Sequence, residues 1–354
     1  MKRTLHILLL AMLSCMSLLS CEKLIYEEGD DCNESVMHVS LRVSAGGSTM
    51  SRALTETEKD GAGYENFIDV HKLHILFFDK DNKFLQSFEP EDIYPTDNSE
   101  YPHTWELRGT IQNPPKTRFK IVALANWPSD PQGLEVGVTT IKDVCTADWA
   151  MGNYNAPFTP SKNSPIPMYG VMTHQDRISF NADIKTYLGE IYLLRAFAKI
   201  TVCLSDNSST ELSSVTLSNY NKRFACAPLG MYDNTVNSSL SNATVHLAGS
   251  DNEPAGVPLD FASTDKKSWT IYIPEYLNAG PSGTARSDCS HIELKVKDSD
   301  VTYKIDFRDY DSNDGKRFNI VRNFEYYFEV KLTPILFSVT VKKWEFGGKV
   351  HIEM

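Results

Sequence analysis

Leu18-Leu19-Ser20-Cys21 is a spacing that prescribes a covalent step. A thiol that is to take a diacylglycerol needs a small residue before it, because a peptidase must cut that bond, and an apolar residue three positions upstream. Ser20 and Leu18 supply both, so the cut is expected between Ser20 and Cys21, leaving Cys21 as a lipid-bearing N-terminus. The upstream residues fit this: Lys2 and Arg3 form a positive start, and Leu5 to Leu13 is an apolar run broken only by His6 and too short to span a bilayer. Cys15 also follows a serine, but it lies inside the apolar run with Met12 in the leucine position.

A second candidate is a cut rather than an acylation. Gly46 to Thr55 (GGSTMSRALT) is small and polar, the kind of loop that proteases nick. Arg52 is the only basic residue between Arg42 and Lys59, so an Arg-directed cut would fall between Arg52 and Ala53. That cut would free the segment before it, and a sandwich that loses a strand exposes an apolar groove and unpaired backbone.

Other chemistry is weaker. Asp309-Tyr310-Asp311-Ser312-Asn313-Asp314-Gly315 offers hard oxygens at alternate positions, as calcium prefers. Its glycine falls at position seven and position twelve is Ile320, so a turn accounts for the residues and no metal is assigned. His71 and His74 are three apart and would sit on opposite faces of a strand. Besides Cys21, the mature chain has Cys32, Cys145, Cys203, Cys226 and Cys289; their pairing stays open, and Cys203 reads as core. There is no GxSxG, HExxH, P-loop or CxxC pattern. No catalytic residue and no cofactor are expected beyond the lipid on Cys21.

The elements behind these residues are strands. Alternation marks 36–43, where Met37, Val39, Leu41 and Val43 share a face, and strand-forming runs cover 71–78, 119–125, 192–204, 268–273, 324–332 and 337–344. Residues 291–296 and 301–307 read as a hairpin. Thr140 to Trp149 is a short helix capped by Thr139 or Thr140, inside an irregular excursion over 126–167. Trp105, Trp127, Trp149 and Tyr154 near that excursion are candidates for stacking on sugars. The expected fold is all-β, two β-sandwiches split near residue 187: a signal peptide over 1–20, an acidic tether over 21–35, and sandwiches over 36–187 and 188–354.

The terminal strand is a candidate donor. Phe337, Val339 and Val341 alternate on one face, and Trp344 and Phe346 continue the apolar set after a one-residue shift, as at a bulge. Such a strand completes its own sheet or a neighbour's; the pattern favours its own.

The chain of 354 residues carries a net charge of −11, and removing residues 1–20 takes away Lys2 and Arg3 and no acid, giving −13. Nucleic acid is therefore not an expected partner. Nor does charge hold the protein to anionic headgroups, so membrane attachment falls to the acyl chains, which add about 0.8 kcal/mol per buried methylene.

The order of these pieces resembles the fimbrillin superfamily of Bacteroidales, the subunits of type V pili. The matching residues are the Cys21 motif, Ser51-Arg52-Ala53 after the first strand, 73–79 (LHILFFD), 119–126 (FKIVALAN), 166–170 (IPMYG), 194–200 (LRAFAKI), 320–326 (IVRNFEY) and the Trp344-bearing strand. The resemblance implies transthyretin-like sandwiches and donor-strand assembly, in which an Arg-specific protease removes the first strand of a stalk precursor and another subunit's C-terminal strand fills the groove. The acidic tether between Cys21 and Cys32 looks like that of the FimB-type anchor lipoproteins. An anchor keeps its lipid and first strand, sits at the outer membrane and limits fibre length. Ser51-Arg52-Ala53 instead resembles the cleavable stalk or tip subunits. Expected partners are other pilus subunits and the outer membrane; a host or bacterial surface ligand is the alternative.

Overall fold

The computed structural model describes residues 36–45, 63–96, 100, 102–115, 117–174, 185–206, 208–228, 252–263, 265–279, 286–308, 317–333, 336–345 and 348–353. The first half contributes β1 (Val36–Ser44), β2 (Leu73–Phe78), β3 (Phe84–Phe88), β4 (Asp92–Pro95), β5 (Thr104–Gln112) and β6 (Phe119–Ala125). A helix, α1 (Ile141–Thr146), is followed by β7 (Met151–Asn153), β8 (Met168–His174), β9 (Thr186–Tyr192) and β10 (Leu194–Arg195). These build two sheets, ordered β4-β5-β1-β9 and β10-β8-β6-β2-β3.

In the first sheet burial alternates along β5 from Glu106 on, as a strand with one wet face requires, and on β1 the row Met37, Val39, Leu41 and Val43 is buried. In the second, Ile75 to Phe78 on β2 and Ile121 to Ala125 on β6 are buried on both faces. The excursion after β6 supplies buried groups of its own, Val144, Cys145 and Ala150. α1 starts where the sequence placed it, with Thr140 as N-cap and Asp143 completing the capping box.

The second half contributes β11 (Phe197–Leu204), β12 (Leu212–Ser218), β13 (Arg223–Ala225), β14 (Leu259–Asp260), β15 (Ala262–Ser263), β16 (Ser268–Pro274), β17 (His291–Val296), β18 (Thr302–Asp306), β19 (Phe324–Thr333), β20 (Leu336–Glu345) and β21 (Gly348–Glu353). They form a six-stranded sheet, β15-β16-β11-β19-β20-β21, and a four-stranded one, β14-β12-β17-β18. The β17–β18 hairpin turns through Asp298 at φ 56°, a left-handed position that Asp tolerates. The fold is thus all-β, two pairs of sheets and a two-stranded fifth, β7 with β13. β9, which straddles residue 187, and β10 hydrogen-bond into the first pair, and sheet membership changes at Ala196.

Two expectations change in detail. The single strand expected over 192–204 is broken at Leu193 and Ala196, where the chain crosses from one sheet pair to the other. The crossing is tight: a Cβ on Gly170 of β8 would lie 2.6 Å from the Tyr192 carbonyl oxygen, so only glycine fits there. The chain end expected as one strand is instead a hairpin, β20 with β21.

Candidate functional site

β1 lies inside its sheet, not at an edge. It pairs antiparallel with β5 over nine residue pairs, Val36 with Gln112 through Ser44 with Thr104, and parallel with β9 on its other side. Met37, Val39, Leu41 and Val43 are at most 1% exposed. Burying four such side chains is worth about 6–12 kcal/mol as an upper estimate. The slot is shaped by Gly109 opposite Val39, where a Cβ would crowd the Phe88 ring at 3.1 Å. Withdrawing β1 would therefore open a groove between β5 and β9, lined by apolar groups and flanked by two unpaired backbones.

The outer face of the same sheet is polar and cross-linked. Tyr94, Glu106, Arg42 and Glu190 stand in one row across all four strands. The Tyr94 hydroxyl donates to Glu106 at 2.6 Å, and Arg108 pairs with the same carboxylate at 2.8 Å while lying over the Tyr94 ring at 4.4 Å. Arg42 approaches Glu106 at 3.6 Å and the Tyr187 ring at 6.0 Å. Burial raises the Glu190 carboxyl above its ordinary range, and Arg42 nearby opposes that shift.

Between the two sheet pairs lies a buried polar junction. Arg195 donates to the Glu65 carbonyl at 2.9 Å, the Ala45 carbonyl at 3.0 Å and Asn323 Oδ1 at 2.8 Å. The Glu65 carboxylate pairs with Lys199 at 2.8 Å and accepts from the Tyr272 hydroxyl. Arg322, 1% exposed, pairs with Glu275 at 2.8 Å and donates to the Ala225 and Cys226 carbonyls. β7 pairs with β13 across the same boundary. Arg195, Lys199 and Arg322 lie in the sequence motifs 194–200 and 320–326, while Glu65 and Glu275 lie in neither. The signal in the motifs was an arginine inside an apolar run, which must be paired when buried.

The terminal strand is seated at home. β20 runs antiparallel to β19 over ten residue pairs, with Phe337, Val339 and Val341 opposite Leu332, Val330 and Phe328, and those three β19 residues are buried. Trp344 stands opposite Glu325 without a shift in that ladder; the irregularity lies on the β21 side, between Lys343 and Glu345. Phe346 lies outside the described residues, as do Ser20, Cys21, Arg52, Ala53 and the 309–315 turn.

The aromatic candidates for sugar stacking are packing groups. Trp127 is buried and donates to the Met168 carbonyl at 2.7 Å, and Trp149 lies against it at 5.7 Å. Tyr154 is buried and its hydroxyl donates to the Tyr272 carbonyl, while Trp105 packs partly buried on the core. The histidine pair is also separated: β2 starts at Leu73, leaving His71 in a 3-10 turn, and His74 Nε2 meets Asp130 at 3.2 Å. Cys203 is half-buried rather than core, bonding Ser268. Among the described residues, no three His, Cys, Asp or Glu side chains cluster as metal ligands.

The fold is that of pilus proteins. The chain is similar to the tip fimbrial protein Mfa3 of Porphyromonas gingivalis with C-terminal truncation, at 14% identity and a TM-score of 0.62, covering 88% of this chain and 100% of that one. A putative cell adhesion protein of Parabacteroides distasonis is similar at 14% identity and a TM-score of 0.52, covering 89% and 99%. Among curated proteins, none matches. The model of the family described as "Fimbrillin-A associated anchor proteins Mfa1 and Mfa2" matches residues 30–346. With nearly the whole folded chain inside that match, the protein belongs to the family of fimbrillin-A associated anchor proteins.

Proposed function

We propose that this is a non-enzymatic pilus subunit that anchors the fibre: it is cut before Cys21, lipidated there, and held in the outer membrane by its acyl chains. Residues 36–195 and 197–354 act as its two sandwiches. It keeps β1, so its own groove is filled and accepts no strand. It offers its C-terminal segment to the last stalk subunit by donor-strand pairing, which ends growth and fixes fibre length. The observation that supports this reading best is the seating of β1, paired on both sides and buried along its whole inner row. A subunit that need not lose that strand gains by packing it this fully.

The second reading is a stalk or tip subunit matured by a cut after Arg52, favoured by Ser51-Arg52-Ala53. Mass spectrometry of pili stripped from cells separates the two. A mature N-terminus at Cys21 carrying acyl mass is expected; an N-terminus at Ala53 without lipid would overturn the anchor reading. The burial of Trp127 and Tyr154 weighs against the reading as a sugar-binding lipoprotein.

A further inference from the structure

Arg195 holds the chain at both ends of one segment. It is 4% exposed and sits on β10, where the chain passes between the sheet pairs. Its Nη2 donates to the carbonyl of Ala45, the residue after β1, and its Nε to the carbonyl of Glu65, in the turn Gly63–Asn66. These two residues flank 46–62, which contains Arg52. The third arm is on Asn323, just before β19, and the Arg195 backbone N–H donates to the same Asn323 oxygen at 3.2 Å. Asn323 holds φ at 62° and donates its own N–H to the Phe197 carbonyl. Glu65 is fixed a second time by Lys199 and Tyr272.

We propose that Arg195 is a positioning residue that staples β1 in place, so that a cut within 46–62 leaves the strand seated instead of releasing it. The proposal rests on the reading of 46–62 as the cleavable segment. Its physical basis is that both outer grips are on backbone carbonyls beyond the segment. Cutting between them breaks neither bond, and each new end stays tied to the same cation. Charge-assisted bonds of this kind, sheltered from water, are stronger than neutral ones. A strand that must leave the slot has to give up the Ala45 bond before its ladder to β5 can peel from that end. Retention is thus set at the junction as well as in the sheet, and a member of this fold lacking the fork would shed its first strand more readily after the same cut.

The test uses the full chain in detergent, cut in vitro with an Arg-specific protease. A sequence-specific protease site inserted after Arg52 serves if Arg52 resists cutting. Gel filtration in mild urea then follows the fragment ending at Arg52. The fragment is expected to co-elute with the body in the unaltered protein. In Arg195→Met, which keeps length and removes the donors, it should leave at least about tenfold faster, and Asn323→Ala should fall between. Equal release from Arg195→Met and the unaltered protein would overturn the staple, as would prompt loss from the unaltered protein. If Arg195→Met does not fold, Arg195→Lys, which keeps the charge without the fork, is compared in the same way and judged by the same criterion. No pilus is needed, so failure of the anchor reading and failure of the staple are told apart.

Discussion

Replacing Leu41 with alanine should destabilise the folded chain by about 3 kcal/mol. Leu41 is fully buried, faces the equally buried Leu107 across β5, and has Val39 and Val43 on either side at 0% exposure. The substitution removes three carbons, about 2.4 kcal/mol of transfer free energy at ~0.8 per methylene. A cavity term follows because a paired central strand cannot collapse inward, placing the total in the range of about 2–5 kcal/mol. At about 2–4 °C per kcal/mol, a loss of about 3 kcal/mol corresponds to a melting shift of roughly 6–12 °C. Urea unfolding followed by tryptophan fluorescence suits the measurement, since Trp105 stands directly opposite Val43. The paired control is Arg42→Ala on the outer face, whose side chain is 45% exposed and 3.6 Å from Glu106; it should cost less than about 1 kcal/mol. If Leu41→Ala falls within about 0.5 kcal/mol of the unaltered protein, or matches Arg42→Ala, then β1 is not integral core and the argument for its retention fails.

Three further outcomes follow from the burial of particular groups. Glu275→Ala should destabilise by about 3–5 kcal/mol in the same unfolding assay, because it leaves Arg322, 1% exposed, without its carboxylate; a loss under about 1 kcal/mol would mean water reaches the pair. Burial pushes the Cys145 thiol up from 9.0 to about 12, and Cys226 is pushed up further by the same cause. The folded chain thus binds these protons more tightly than the unfolded chain does, so stability should fall as pH rises from about 9 toward 12. Iodoacetamide labelling at pH 8 should modify the half-buried Cys203 and Cys289 while sparing Cys145 and Cys226; early labelling of Cys145 would contradict its burial.

Where one alternating run met one turn signal, the sequence was readable. β1, β6 and the β17–β18 hairpin lie within a residue or so of their expected bounds, and α1 begins at the cap its threonine announced. β5 escaped notice because its alternation is written in Trp105, Glu106, Arg108 and Gly109, residues chosen for the polar cross-links outside and the crowded Phe88 ring inside. β4 is short, exposed and ends in proline, as an edge strand allows. The junction was hidden for a different reason. Arg195 binds two backbone carbonyls, and a carbonyl leaves no mark on the identity of Ala45 or Glu65. The aromatic residues misled in the usual direction, since a tryptophan in a loop-rich stretch gives the same letters whether it faces a sugar or the core.

The parallel pairing of β1 with β9 also sets an order of events during synthesis. Val39 finds Thr186, and Val43 finds Ile191, only when nearly all of the first half has emerged. Until then the row Met37, Val39, Leu41 and Val43 waits beside an incomplete sheet. Such long-range closure is slow and leaves apolar edges open to wrong partners. The first strand of the fold in chain order is thus among the last to be locked. A chaperone that shields extended apolar segments would act on this chain early, while that row is still open.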